Sequence, residues 1–341
     1  MAVELPKVLR SQPAIRFAVV AVIAVVALFI TILSVNKESS WHRTQLERST
    51  YTKVTYSHEG PTSEVLVLTA LHENTTFGKP ELKKYVNLIE STGGRHKVAV
   101  GILCNTEDEF IRFDRYFRKH EPPHFHKVTL VYAPITTKKT LSDFNPSVAE
   151  EELLREQKRT QAIAMNMLMY SAMEKEPYVL FLDQRIETFE VAKPLDHFIN
   201  SGKDIVVARV VDNDIISADV NSWKGSRRRP KQHAFNMMDG NYWSEFEFTP
   251  GMDGDDHGLA QSLESDFVPL DSVGSMALFV KSWILKQGVV MMPMNIIGTH
   301  WPRYEGFDGL GPSAICYVAK QLGYSCWGMP KLVARLPRNP K

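Results

Sequence analysis

The sequence predicts an α/β fold, a mostly parallel sheet with helices on its flanks, behind an apolar helix near the N-terminus. Three observations carry this. Short runs of apolar, often β-branched residues recur between stretches whose apolar positions repeat at helical spacing, the pattern of parallel strands joined by crossover helices. The run Tyr178 to Leu182 is apolar on both faces, as a central strand must be, and Asp183 follows at its carboxyl end. Phe17 to Val35 carries no charge; at about 1.5 Å per residue it spans about 28 Å, close to the hydrocarbon thickness of a bilayer.

That first run sets the compartment. Lys7, Arg10 and Arg16 precede it, opposed by Glu4, so the positive-inside tendency keeps the N-terminus cytosolic and sends the rest to the lumen. A cleaved leader has a shorter apolar core and a small-x-small site; Ser34 to Glu38 offers a poor one. The expected organisation is a cytosolic tail (1–16), a transmembrane anchor (17–35), a polar stalk (36–63), a lumenal domain (64–334) and a loose basic tail (335–341). The lumenal part is long enough for one large core. Asn74-Thr75-Thr76 is a glycosylation sequon consistent with lumenal exposure. The formal net charge of +1 makes no case for nucleic acid, and Arg227 to Arg229 read as a solvated loop. Of three cysteines, Cys316 and Cys326 can pair if the chain folds back between them, and two buried thiols are the alternative.

The elements follow in order. Glu64 to Ala70 reads as a buried strand, and Pro80 to Glu90 as a helix with Leu82, Tyr85, Leu88 and Ile89 on one face, stopped by Gly93-Gly94. Lys97 to Leu103 is a second strand. Thr106 opens a helix with three acidic residues in its first turn, where the dipole favours them. His126 to Tyr132 is a third strand. Val148 to Lys175 is the longest helix, its buried face drawn from Leu153, Leu154, Ala162, Met165, Leu168, Met169 and Ala172. After Tyr178–Leu182 come a short helix from Pro194, a strand over Asp204–Val210, a long irregular stretch to Phe267, a strand over Val273–Val280, and a helix over Ser313–Leu322 closed by Gly323.

Strand-helix alternation, a long basic helix and then a strand ending in aspartate is the order of a GT-A-type nucleotide-sugar transferase. In open α/β sheets ligands bind at the carboxyl ends of the strands. A carboxylate there suits a hard divalent cation, Mn2+ or Mg2+, which bridges two phosphates.

Three blocks resemble a known family. Glu152 to Ser171 followed by Tyr178–Asp183, then Val268 to Ser275 with its Leu270-Asp271-Ser272-Val273-Gly274 core, then Ala314 to Pro330 are similar in order to segments of the fungal mannan-polymerase mannosyltransferases, glycosyltransferase family 62. The resemblance implies a single-pass type II Golgi membrane protein that transfers mannose from GDP-mannose to a glycan hydroxyl with a divalent cation, and that works with related transferases in hetero-oligomers. Where the family has Asp-x-Asp, this chain reads Asp183-Gln184-Arg185. An arginine beside a diphosphate replaces part of a metal's charge, or it ends catalysis and leaves a subunit that scaffolds active homologues; the sequence leaves both open.

The candidate site residues follow. Asp183 would hold the metal or the donor, with Arg185, Arg155 and Arg159 near the diphosphate and Asn166 on the nucleotide. Asp271 would sit at the acceptor or metal. Trp301 and Arg303 would meet the acceptor, since a ring covers the apolar face of a sugar, and Glu305 or Asp308 would assist its hydroxyl as a base. Each has a structural alternative: a solvated helix face for Arg155 and Arg159, a helix-helix hydrogen bond for Asn166, a cap for Asp271. The acidic loop Asp253 to Asp256 is a second source of oxygen ligands or a solvated loop.

Overall fold

The computed structural model describes residues 41–48, 50–60, 62–71, 79–135, 149–212, 219, 221–225, 257–259, 263–295 and 309–337. The first half of the chain contains β1 (His42–Glu47), β2 (Thr52–Ser57), β3 (Val65–Ala70), α1 (Lys79–Gly93), β4 (Val98–Cys104), α2 (Glu107–Lys119), β5 (Phe125–Tyr132) and α3 (Ala149–Ala172). Then come β6 (Tyr178–Leu182), β7 (Thr188–Phe189), α4 (Pro194–Asn200), β8 (Ile205–Val211), β9 (Trp223–Lys224) and β10 (His257–Gly258). The last are β11 (Val268–Leu270), β12 (Ala277–Lys281), α5 (Ser282–Lys286), α6 (Ala314–Gln321) and β13 (Cys326–Arg335).

Among the described residues one large sheet runs β1-β2-β5-β4-β3-β6-β12-β8-β13-β11, with β7 paired to the end of β13. The sheet is mixed, where a mostly parallel one was expected. β5, β4, β3 and β6 are parallel neighbours. β12 lies antiparallel between β6 and β8, while β8 and β13 are parallel. An apolar run buries the same residues in either direction, so composition reports that a strand is central without reporting its sense.

The segment expected to be a stalk is partly a strand pair. β1 and β2 extend the sheet antiparallel to β5. Val54 and Tyr56 of β2 are buried and Trp41 packs on Tyr56 and Phe117, so period-2 burial is present within a polar composition. At the other end Arg335, expected to begin a loose tail, closes β13, and the Leu336 amide donates to Val211 O at 3.0 Å. The apolar run Phe17–Val35 lies outside the described residues; no helix among the described residues is long and apolar enough to cross a membrane.

Helices cover both faces. One core holds Leu82, Tyr85 and Ile89 of α1, Phe110, Phe113 and Phe117 of α2, and Leu195 and Phe198 of α4. The other holds Ala162, Met165, Leu168 and Ala172 of α3 with Ile284 of α5 and Ile315 of α6. α3 seats closely because β4 has glycine beneath it: a Cβ on Gly101 would meet Leu68 at 2.7 Å and Ala172 at 3.0 Å. A disulfide joins Cys316 of α6 to Cys326 of β13, with Cα atoms 5.7 Å apart. Cys104 is a free, buried thiol.

Candidate functional site

The sheet has a reversal in strand order at β3. From β3 the chain adds β4 and then β5 on one side, and later β6 on the other. Such a switch point opens a crevice at the carboxyl ends of the two strands, where ligands of open α/β sheets bind. Backbone pairing of β3 with β6 runs from Val65↔Tyr178 to Leu68↔Phe181. Beyond it the Thr69 hydroxyl donates to the Leu182 carbonyl at 2.8 Å and touches the Tyr85 hydroxyl of α1. Burial raises the Tyr85 phenol pKa most and the charge of Asp183 raises it further, so this phenol lies within electrostatic reach of the aspartate.

Asp183 stands at this edge. Its amide donates to Met276 O at 2.7 Å, tying it to the entry of β12, and its carbonyl accepts from Ile186 N at 3.1 Å, closing a turn. The turn brings Arg185 back onto the carboxylate. Asp183 Oδ1 accepts the Arg185 amide at 2.8 Å and Nε at 2.9 Å, and Oδ2 accepts Nη2 at 3.0 Å. The Asp183 side chain is 8% exposed and that of Arg185 is 51% exposed. The arginine, not the aspartate, is therefore the group presented outward. Hydrogen bonding to Asp183 raises the Arg185 pKa above its ordinary value, burial opposes, and the charges of Asp183 and Asp219 add to the rise.

Asp219 is the site residue that sequence reasoning missed. It is 4% exposed. Its Oδ1 accepts the Asn221 amide at 3.2 Å. Oδ2 has no well-formed hydrogen bond among the described residues, although the Ser222 hydroxyl and Met276 amide lie close enough to favour its charge. Burial chiefly, with the charge of Asp183, pushes the Asp219 pKa up to about 6. Gly274 makes room for it: a Cβ there would fall 1.8 Å from Asp219 Oδ2. The Gly274 amide donates to Ser222 Oγ at 3.0 Å, so the loop before β12 wraps the aspartate from two sides. The only sequence signal was turn chemistry, Asp219-x-Asn221-Ser222.

The other expected residues divide. Asp271 is 34% exposed; its Oδ2 accepts the Gly225 amide at 3.0 Å, and its Oδ1 lies 3.9 Å from Lys320 Nζ. It pins the loop after β9, and the bridge Trp223↔Ser272 connects it to Ser222 and hence to Asp219. Arg159 pairs with Glu156 at 3.3 Å on the half-buried side of α3. Leu168 and Ala172 flank the Gly101 position in mid-β4. Arg155, roughly thirteen residues before Leu168, stands about 20 Å further along the helix, while β4 ends only about 10 Å past Gly101. The helix thus carries Arg155 and Arg159 toward the carboxyl-edge side of the sheet. Asn166 is a correction: its Nδ2 donates to Met291 O at 2.6 Å and its Oδ1 accepts the Met291 amide at 3.2 Å. With both ends of the amide engaged it braces α3 against the chain after α5, the structural alternative for this residue. Asn74, Trp301, Arg303, Glu305 and Asp308, and the Asp253–Asp256 loop, lie outside the described residues.

The divalent cation implied by the family resemblance needs several oxygen donors. Both carboxylate oxygens of Asp183 are taken by Arg185. Among the described residues no group of three His, Cys, Asp or Glu could hold a metal ion. The described donor set does not fit a divalent ion, because a guanidinium fills the place where a second carboxylate was expected. Asp183, expected as the metal ligand, instead fixes Arg185.

Several comparisons bear on this chain. The family model Anp1 matches residues 42–295. No curated protein matches the chain. Among solved structures, the mannosyltransferase PcManGT from Pyrobaculum calidifontis, in complex with GDP-Man and Mn2+, is 12% identical with a TM-score of 0.43, covering 82% of this chain and 58% of its own. GalNAc-T7 with UDP, GalNAc and Mn2+ is 13% identical with a TM-score of 0.41, covering 84% of this chain and 46% of its own. This chain therefore spans under two thirds of the length of either. The family match starts at the first residue of β1 and runs through β12 to the chain that braces α3, taking in the switch point, the Asp183–Arg185 turn and Asp219. The chain belongs to the Anp1 family, the fungal mannan-polymerase group of glycosyltransferase family 62.

Proposed function

We propose that this chain is a hexosyltransferase that moves mannose from GDP-mannose to a hydroxyl of a growing glycan. The observation that carries the reading is the convergence of Asp183, Arg185 and Asp219 at the β3/β6 switch point of a chain in this family. A nucleoside diphosphate laid across that crevice would meet the outward guanidinium, with Arg155 and Arg159 approaching from α3. Aligning the leaving diphosphate and drawing off its charge is the main work such a site does. Asp271 serves the acceptor side in this reading, and Trp301, Arg303, Glu305 and Asp308 are its proposed partners from sequence. The Phe17–Val35 run anchors the enzyme in the Golgi membrane with its N-terminus cytosolic, and Asn74 faces the lumen. The Cys316–Cys326 bond supports an oxidising compartment. Hetero-oligomers with related transferases complete the proposal.

The test is transfer of labelled mannose from GDP-mannose to an α-mannoside by the full chain. No transfer from GDP-mannose, with the protein folded and any co-purifying transferase removed, overturns the reading.

One observation favours a second reading, a non-catalytic subunit: the aspartate that would serve a metal is closed by Arg185. Unchanged cellular glycans in an Asp183→Ala strain, with co-purification of an active transferase, would select it.

A further inference from the structure

We infer that Arg185 is itself the cation that takes the diphosphate, held by Asp183, so that nucleotide binding by this chain does not require a divalent ion. The inference rests on the donor reading above and deepens it by assigning the cofactor role to a side chain.

Geometry makes the case. A guanidinium carries five N–H donors in a rigid fork. Nε and one N–H of Nη2 go to Asp183, at 2.9 and 3.0 Å. About three donors remain, on a residue whose side chain is 51% exposed. Such an edge matches phosphate oxygens in plane, which a lysine does not. The fork is also already immobilised. The Arg185 amide binds the same carboxylate at 2.8 Å, so the turn and the side chain share one anchor. The ordering cost of the long side chain is met before a ligand arrives.

Asp219 lies buried close by, and Met276, whose carbonyl accepts the Asp183 amide, flanks it. A divalent ion at Asp183 would have to displace the hydrogen bonds of Arg185. Asp183 is thus a positioning residue for Arg185.

The experiment is calorimetric titration of the full chain with GDP, once in EDTA and once in Mn2+. The wild type is expected to bind in EDTA with an affinity within about two-fold of that in Mn2+. Arg185→Ala should weaken binding at least ten-fold in both buffers, and Arg185→Lys should recover only part of the loss. Arg185→Asp, which restores a carboxylate two positions after Asp183, should lose binding in EDTA and regain it in Mn2+. Circular dichroism of each variant checks folding, because removing the guanidinium takes two hydrogen bonds from the buried Asp183 carboxylate. Wild-type binding that vanishes in EDTA and returns with Mn2+ overturns this inference while leaving the transferase reading standing. Binding unchanged in Arg185→Ala also overturns it. No GDP binding in either buffer overturns both.

Discussion

Asp219→Asn tests the electrostatics of the site most directly, because it keeps the shape of the side chain and removes its charge. Burial raises this carboxyl from an ordinary 3.8 to about 6. The sign follows from which state holds the proton. Below about pH 4 both folded and unfolded chains are protonated and burial costs nothing extra. Between about pH 4 and 6 the folded chain retains a proton that the unfolded chain has released, so stability falls as pH rises; above 6 the full cost is present. At 1.36 kcal/mol per pH unit, the gap between 3.8 and about 6 corresponds to about 3 kcal/mol. The variant should therefore be more stable than the wild type at pH 7, by up to about 3 kcal/mol, or about 6 °C in melting temperature. The advantage should fade to nearly zero by pH 4. Paired thermal melts at pH 4, 5, 6 and 7 report the loss of this charge together with its coupling to Asp183. A difference that is constant across that range, or a variant less stable at pH 7, would refute the reasoning.

Three further outcomes follow from the packing. Gly274→Ala puts a methyl 1.8 Å from Asp219 Oδ2; it should cost about 2–3 kcal/mol, and a melting temperature within a degree of the wild type would count against the described loop. Cys326→Ser opens a short disulfide loop with a sequence separation of 10 and should cost about 3 kcal/mol; reductant should destabilise the wild type and leave the variant unmoved. Asn166→Ala removes two hydrogen bonds to Met291 and should lower stability by about 1–3 kcal/mol, with GDP affinity unchanged in calorimetry; weaker nucleotide binding in a folded variant would return Asn166 to the donor site.

The parallel centre of the sheet was legible because every residue of β3 and β4 is buried, which writes continuous apolar runs between amphipathic helices. β1 and β2 were not. At the edge of a sheet only alternate residues face the core, and here Thr, Lys, Arg and Gln fill most of the other places, giving the composition of a linker. Asp183 was findable from its place after a doubly buried strand. The fork with Arg185 depends on how tightly the turn closes, and two residues of spacing do not state that. Asp219 was hidden for a different reason. Its role comes from a loop far along the chain that folds under Asp183, and only a local turn pattern marks it. Asn166 had two readings in sequence, nucleotide contact or structural hydrogen bond, and its helix neighbours could not reveal that Met291 would meet both ends of its amide.

The handover at the ends of β3 and β6 has a broader consequence. The two strands stop sharing main-chain bonds at Leu68 and Phe181, and a threonine hydroxyl takes over the next carbonyl. The cleft is thus opened by the scaffold itself and needs no loop to prise it apart. Surrounding segments are free to diversify in length and chemistry, changing which acceptor is welcomed, while the gap and the Asp183–Arg185 pair beside it stay where the sheet puts them.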